Sequence, residues 1–123
     1  MTGSDKMKRG DIVTVATQGD YGKPRPAVVV QNDDISRLDS VILCLMTSEL
    51  KDARFRITLD PSAETGLEKI SQVMTDKIVT VPKSKVGKVL GKVPDYKMKD
   101  IEQGVLFILG FSNQEHQSPS ATR

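Results

Sequence analysis

The chain has 123 residues, a formal net charge of +2, 37% apolar residues, no tryptophan and one cysteine. That length suits one domain able to bury a core. The longest apolar runs, residues 41–46 and 105–109, are far shorter than the roughly 20 residues that span a bilayer, the polar start MTGSDKMKRG lacks a signal-peptide core, and the lone Cys44 excludes an internal disulfide or a cysteine metal site. A cytoplasmic location is therefore expected. No set of carboxylates and histidine has metal-ligand spacing, and the single histidine, His116, lies near the end of the chain. No metal and no cofactor are expected. The net charge is too small to argue for nucleic acid, but its distribution says more. Residues 77–99 hold seven lysines against one acid, Asp95. This stretch reads either as a solvated lysine face or as an electrostatic footprint for phosphates.

In chain order, residues 1–7 are expected to be a disordered leader. DIVTVA, 11–16, alternates and is rich in β-branched residues, so it predicts a strand. TQGDYGKPRP, 17–26, is a loop with two glycines and two prolines. AVVVQ, 27–31, is apolar on both faces and predicts a central strand. NDDISRLDS connects it to a second buried strand, VILCLM, 41–46. After the loop TSELKDA, the segment RFRITL, 54–59, places Phe55, Ile57 and Leu59 on one face. DPSAETGL is a turn. SQVM and KIVTV read as two short strands on either side of Asp76, and GKVLGKV, 87–93, as one more. Met98, Ile101, Val105 and Ile108 then recur at helical spacing. Pro94 suits the first turn, Asp95 the positive end of the helix dipole, and Gly110 the C-terminal stop. Gly104 within the helix costs roughly 1 kcal/mol relative to alanine, which points to close packing there. The polar segment SNQEHQSPSATR, 112–123, is expected to be a disordered tail. Six or seven short strands with one terminal helix predict a small β-barrel capped by that helix.

KPRPAVVVQND, 23–33, holds one arginine between two prolines. Proline fixes its own φ and biases the preceding residue toward extended geometry. Arg25 is thus a permanently charged side chain on a stiff piece of chain at the entrance to a buried strand. On its own it reads as readily as a surface ion pair or a loop-stabilising arginine.

RGDIVTV, a glycine-containing loop, RPAVVVQND, then LMTS, SAETGL and VGKVLGKVP before a terminal helix together resemble the MazF/PemK toxins. The likeness spans about residues 8–111, nearly the whole domain. It implies an SH3-like barrel with a C-terminal helix that forms a homodimer. It also implies a metal-independent, sequence-selective endoribonuclease acting on single-stranded RNA, with an acidic antitoxin as partner and no membrane association. In such enzymes the 2′-hydroxyl attacks its own phosphodiester and leaves a 2′,3′-cyclic phosphate and a 5′-hydroxyl. By motif, Arg25 and Thr47 carry the chemistry. The assignment is chemically sensible, because in-line attack builds charge on the non-bridging phosphate oxygens, and fixed donors stabilise it. A guanidinium offers planar, bidentate donors for phosphate. Tyr21, the one aromatic in the first loop, Lys23 and Ser48 are candidate RNA contacts.

The proton acceptor is open at this level. A guanidinium is a poor base, so either the site perturbs it or another group takes the 2′-hydroxyl proton. Asp76 is the candidate, since some family members carry an aspartate near a catalytic arginine; a turn aspartate is the competing reading. Three departures stand out. The arginine near that aspartate is replaced by Val73 or Met74, the arginine before the threonine of an RT pair by Val79, and the first-loop histidine is absent. Two other functions compete: a non-catalytic RNA- or protein-binding barrel, and a CcdB-like gyrase poison, which the lack of tryptophan and the polar C-terminal residues disfavour.

Overall fold

Alternation of apolar side chains on successive strands builds two buried clusters, one on each face of a single sheet. The computed structural model describes residues 7–16 and 23–111. In β1 (Asp11–Ala16), Ile12 enters the first cluster while Val13 and Val15 enter the second. In β2 (Pro24–Val29), Val28 points the first way and Ala27 and Val29 the other. In β3 (Ser40–Thr47), Cys44 and Met46 belong to the first cluster, Val41 and Leu43 to the second. Period-two side-chain geometry turns a continuous apolar run into a strand buried on both faces. The order β4-β5-β3-β2-β1-β6 accordingly puts β3 and β2 at the centre of six antiparallel strands. β4 is Arg56–Leu59, β5 is Ser71–Pro82 and β6 is Val86–Lys92. Met7, which the sequence reading placed in the leader, is buried in the second cluster.

The expected fold class, mainly β with a C-terminal helix, is the one observed. The sheet is not closed: no ladder joins the edge strands β4 and β6 among the described residues. Instead the turn between β4 and β5 lies across β6. The Lys92 N–H donates to the Glu64 carbonyl at 2.8 Å. Gly66 there adopts φ +69°, and a Cβ would sit 2.0 Å from the Leu90 carbonyl oxygen. Only glycine tolerates both constraints.

The segments 71–74 and 77–81, expected as two strands, form one. Val73 pairs with Met46 and Ile78 with Cys44, with a register shift between. Val73 belongs to the first cluster and Ile78 packs against it, although they are five residues apart. Strict alternation would set them on opposite faces, so a bulge is required. The bulge carries Thr75 and Asp76. The buried Thr75 hydroxyl donates to the Phe55 carbonyl at 2.6 Å.

The helix α1 (Asp95–Leu109) follows Pro94 and ends at Gly110 in the left-handed region, φ 82°, as its sequence signals predict. Ile101 is buried in the first cluster, with Met98 and Val105 packed against it. A Cβ at Gly104 would lie 2.9 Å from the Thr75 side chain, which is the close packing expected there. Among the described residues no helix is long and apolar enough to cross a membrane.

Candidate functional site

The two prolines that flank Arg25 also open the site. β2 pairs with β1 from Pro24 to Val28, with Arg25 opposite Val15. Its ladder to β3 covers only residues 27–29 against 43–45. Proline has no N–H to donate to a ladder, and the β2–β3 pairing stops where Pro26 and Pro24 begin. The ends of β2 and β3 therefore form the wall of a cleft of about 610 Å³. Continuing the Ala27–Leu45 register by two residues on each strand sets Arg25 across from Thr47.

The cleft gathers Lys23 and Arg25 from the start of β2, and Thr47 and Ser48 from the end of β3. The Thr47 hydroxyl oxygen accepts the Glu49 N–H at 3.0 Å. That bond orients the side chain and leaves its O–H to donate toward the cleft. The far rim is the turn SAETGL and the residues just after it: Gly66, Leu67, Glu68 and Lys69. Thr65 organises this rim. Its buried hydroxyl donates to the Asp60 carbonyl at 2.9 Å and accepts from the Ser62 N–H at 3.1 Å and the Leu67 N–H at 3.3 Å. Lys88 and Leu90 of β6 complete the wall. Among the described residues, four cations, Lys23, Arg25, Lys69 and Lys88, thus line one cleft with a single carboxylate, Glu68. Such a cleft suits a phosphate backbone.

Of the residues picked out in the sequence, the structure brings Arg25, Thr47, Lys23 and Ser48 together. Tyr21 lies outside the described residues. Asp76 is not among the residues of this cleft. Its carboxylate is held by Arg56 of β4, Nε to Oδ1 at 2.8 Å and Nη2 to Oδ2 at 3.0 Å. Arg56 itself lines a separate cleft of about 480 Å³ between β4 and α1, which shares no residue with the first. Asp76 thus has an arginine partner, not at position 73 or 74 but on the neighbouring strand, where Arg56 pairs with Met74. The Arg56 hydrogen bonds hold the Asp76 carboxyl below the usual carboxylate range, against the opposing effect of burial. The same bonds raise Arg56. Both shifts keep the pair charged. Cys44 is buried, and desolvation chiefly, with the Asp76 charge, pushes its thiol up to about 12, so it is no nucleophile.

The sequence reading missed Glu68, Lys69 and Lys88 as cleft residues. Lys88 belongs to the lysine-rich stretch, whose other members spread over β5, the 3-10 turn Lys83–Lys85, β6 and α1. Only the turn's path over β6 brings Lys69 and Lys88 to one opening. Among the described residues there is no group of three or more histidine, cysteine or acidic side chains able to hold a metal.

A six-stranded antiparallel sheet with a C-terminal helix and a proline-opened cationic cleft defines a small β protein shaped to hold an anionic chain. Residues 8–109 match the family described as the PemK-like, MazF-like toxin of type II toxin–antitoxin systems. The chain is 37% identical over 108 residues to a probable endoribonuclease MazF of Mycolicibacterium smegmatis, covering 86% of this chain and 99% of that protein. Two solved structures share the fold. One is a mycobacterial endoribonuclease in complex with its cognate antitoxin, with a TM-score of 0.74 and 23% identity over 87% of this chain and 98% of that one. The other is a MazE–MazF complex from Deinococcus radiodurans, with a TM-score of 0.70 and 20% identity over 86% of this chain and 97% of that one. The chain belongs to the PemK-like, MazF-like toxin family.

Proposed function

We propose that the chain is the toxin of a toxin–antitoxin pair and cleaves single-stranded RNA without a metal ion, using Arg25 and Thr47. The observation that carries this reading is the meeting of Arg25 and Thr47 in one cation-lined cleft. The scissile phosphate sits between β2 and β3. The Arg25 guanidinium and the Thr47 hydroxyl donate to its non-bridging oxygens as the 2′-oxygen attacks in line. Lys23, Lys69 and Lys88 hold neighbouring phosphates, and Ser48 adds a neutral donor. These cations already stand where a divalent metal would neutralise phosphate charge, and they repel one. The products are a 2′,3′-cyclic phosphate and a 5′-hydroxyl. An acidic antitoxin segment fits the same cleft by charge and blocks RNA, with binding that weakens as salt rises. The family resemblance adds a homodimer in the cytoplasm.

Purified protein incubated with a long single-stranded RNA in EDTA tests the reading. Cleavage that leaves cyclic phosphate ends supports it. Activity abolished by chelator and restored by magnesium contradicts the metal-free mechanism, and intact RNA under both conditions favours a non-catalytic RNA- or protein-binding role.

A further inference from the structure

The proposed reaction needs a group to take the 2′-hydroxyl proton. Arg25 is a poor acceptor by its chemistry, and Asp76 is paired with Arg56 and does not line the cleft. Among the described residues, Glu68 is the one carboxylate that lines the cleft together with Arg25 and Thr47. We infer that Glu68 is the general base of the cleavage reaction; the inference rests on the endoribonuclease reading.

Three observations support the assignment. The first is placement: Glu68 lines the same cleft as Arg25 and Thr47, and it comes from the turn rather than from β2 or β3. The second is rigidity. On one side of Glu68, Leu67 is anchored in the first core cluster and its N–H donates to Thr65. On the other, the Lys69 carbonyl accepts the Ser71 hydroxyl at 3.0 Å. The backbone that carries the carboxylate is thus pinned at both flanks, as a group that must meet a reacting atom requires. The third is availability. Glu68 is exposed, and among the described residues no hydrogen bond or ion pair engages its carboxylate. Among the described residues, the other charged groups that line this cleft are Lys23 just before β2, Arg25 of β2, Lys69 beside it and Lys88 of β6, all cations.

The step balances without a co-reactant. A Glu68 carboxylate oxygen takes the 2′-hydroxyl proton as the 2′-oxygen forms its bond to phosphorus. The bond from phosphorus to the 5′-oxygen breaks, and that oxygen takes one proton from water. Glu68 returns its own proton to solvent before the next turnover. Arg25 and Thr47 hold the charge on the non-bridging oxygens throughout.

The test is single-turnover cleavage of a single-stranded RNA across a range of pH by wild type, Glu68→Gln and Glu68→Asp. Affinity is measured in parallel with the same RNA carrying 2′-deoxy sugars, which cannot be cleaved. Glu68→Gln keeps the shape and removes the proton acceptor, so its rate should fall by about 10²-fold or more. Its affinity should hold or tighten, since one negative charge leaves a cationic cleft. Wild type should show a rate that rises with pH on the acidic side, and this rise should vanish in Glu68→Gln and persist in Glu68→Asp. A Glu68→Gln protein that cleaves within threefold of wild type overturns the inference, as does one that is slowed but keeps the acidic limb. Either result alongside an active wild type leaves the endoribonuclease reading standing. A wild type that cleaves no RNA overturns both.

Discussion

Asp76→Ala should destabilise the fold by about 2 kcal/mol and leave the chemistry of the Arg25 cleft in place. The Asp76 side chain is 26% exposed and the Arg56 side chain only 9%. Removing the carboxylate strands a mostly buried guanidinium that now has two charge-assisted hydrogen bonds, at 2.8 and 3.0 Å. Breaking a fully buried pair costs roughly 3–5 kcal/mol, and exposed pairs contribute about 0–1 kcal/mol. The residual exposure of Asp76 places this pair between those limits, hence the figure of about 2 kcal/mol, or a fall in Tm of about 8 °C for a domain of this size. The pH dependence has a definite sign. The Asp76 carboxyl is lowered in the folded protein by Arg56, so its contribution is fully present above the ordinary aspartate value of about 3.9 and is lost as pH falls through the lower folded value. Wild type should therefore lose stability faster than Asp76→Asn below about pH 4. Urea denaturation of wild type, Asp76→Ala, Arg56→Ala and the double variant gives the coupling energy directly. Additive single effects would refute the pairing argument. A folded Asp76→Ala whose cleavage rate drops by 10²-fold would show that Asp76 acts in the reaction after all.

Gly104→Ala should destabilise by about 1–3 kcal/mol in urea even though alanine is the better helix former, because the new methyl meets the Thr75 side chain at 2.9 Å. A neutral or stabilising result would mean that α1 lies farther from β5. Cys44 should resist alkylation in the native protein at pH 8 and react in denaturant, since burial pushes its thiol up to about 12. Rapid native labelling would contradict the burial of β3.

What the amino-acid pattern shows and hides has physical causes in particular elements. β2 and β3 are legible as central strands because both of their faces are apolar. The helix is legible because Pro94 and Gly110 mark its ends and Gly104 its contact with Thr75. β5 is read as two strands because Thr75 and Asp76 interrupt the apolar pattern, and a bulge cannot be told from a break without the partner strand. Arg56 stays hidden as the partner of Asp76 because their meeting depends on the β4–β5 register, 20 residues apart in the chain. The alternation in RFRITL already put Arg56 opposite the Ile57 and Leu59 face, and this was the available signal. Arg25 and Thr47 are found through the family resemblance, while Glu68, Lys69 and Lys88 reach the cleft only because the turn at Gly66 crosses β6. Local chemistry is legible; which loops converge on it is a property of topology.

The central claim is that the arginine held between Pro24 and Pro26 stabilises the transition state, and the single-turnover rate of Arg25→Ala tests it most directly. Arg25 is exposed, so the variant should fold with a loss of about 1 kcal/mol or less. Its cleavage rate should fall by roughly 10²–10³-fold, as for loss of an oxyanion donor, with RNA affinity changing far less. Arg25→Lys should not restore the rate fully, because an ammonium lacks the bidentate fork. A folded Arg25→Ala protein that cleaves at near the wild-type rate would contradict the account.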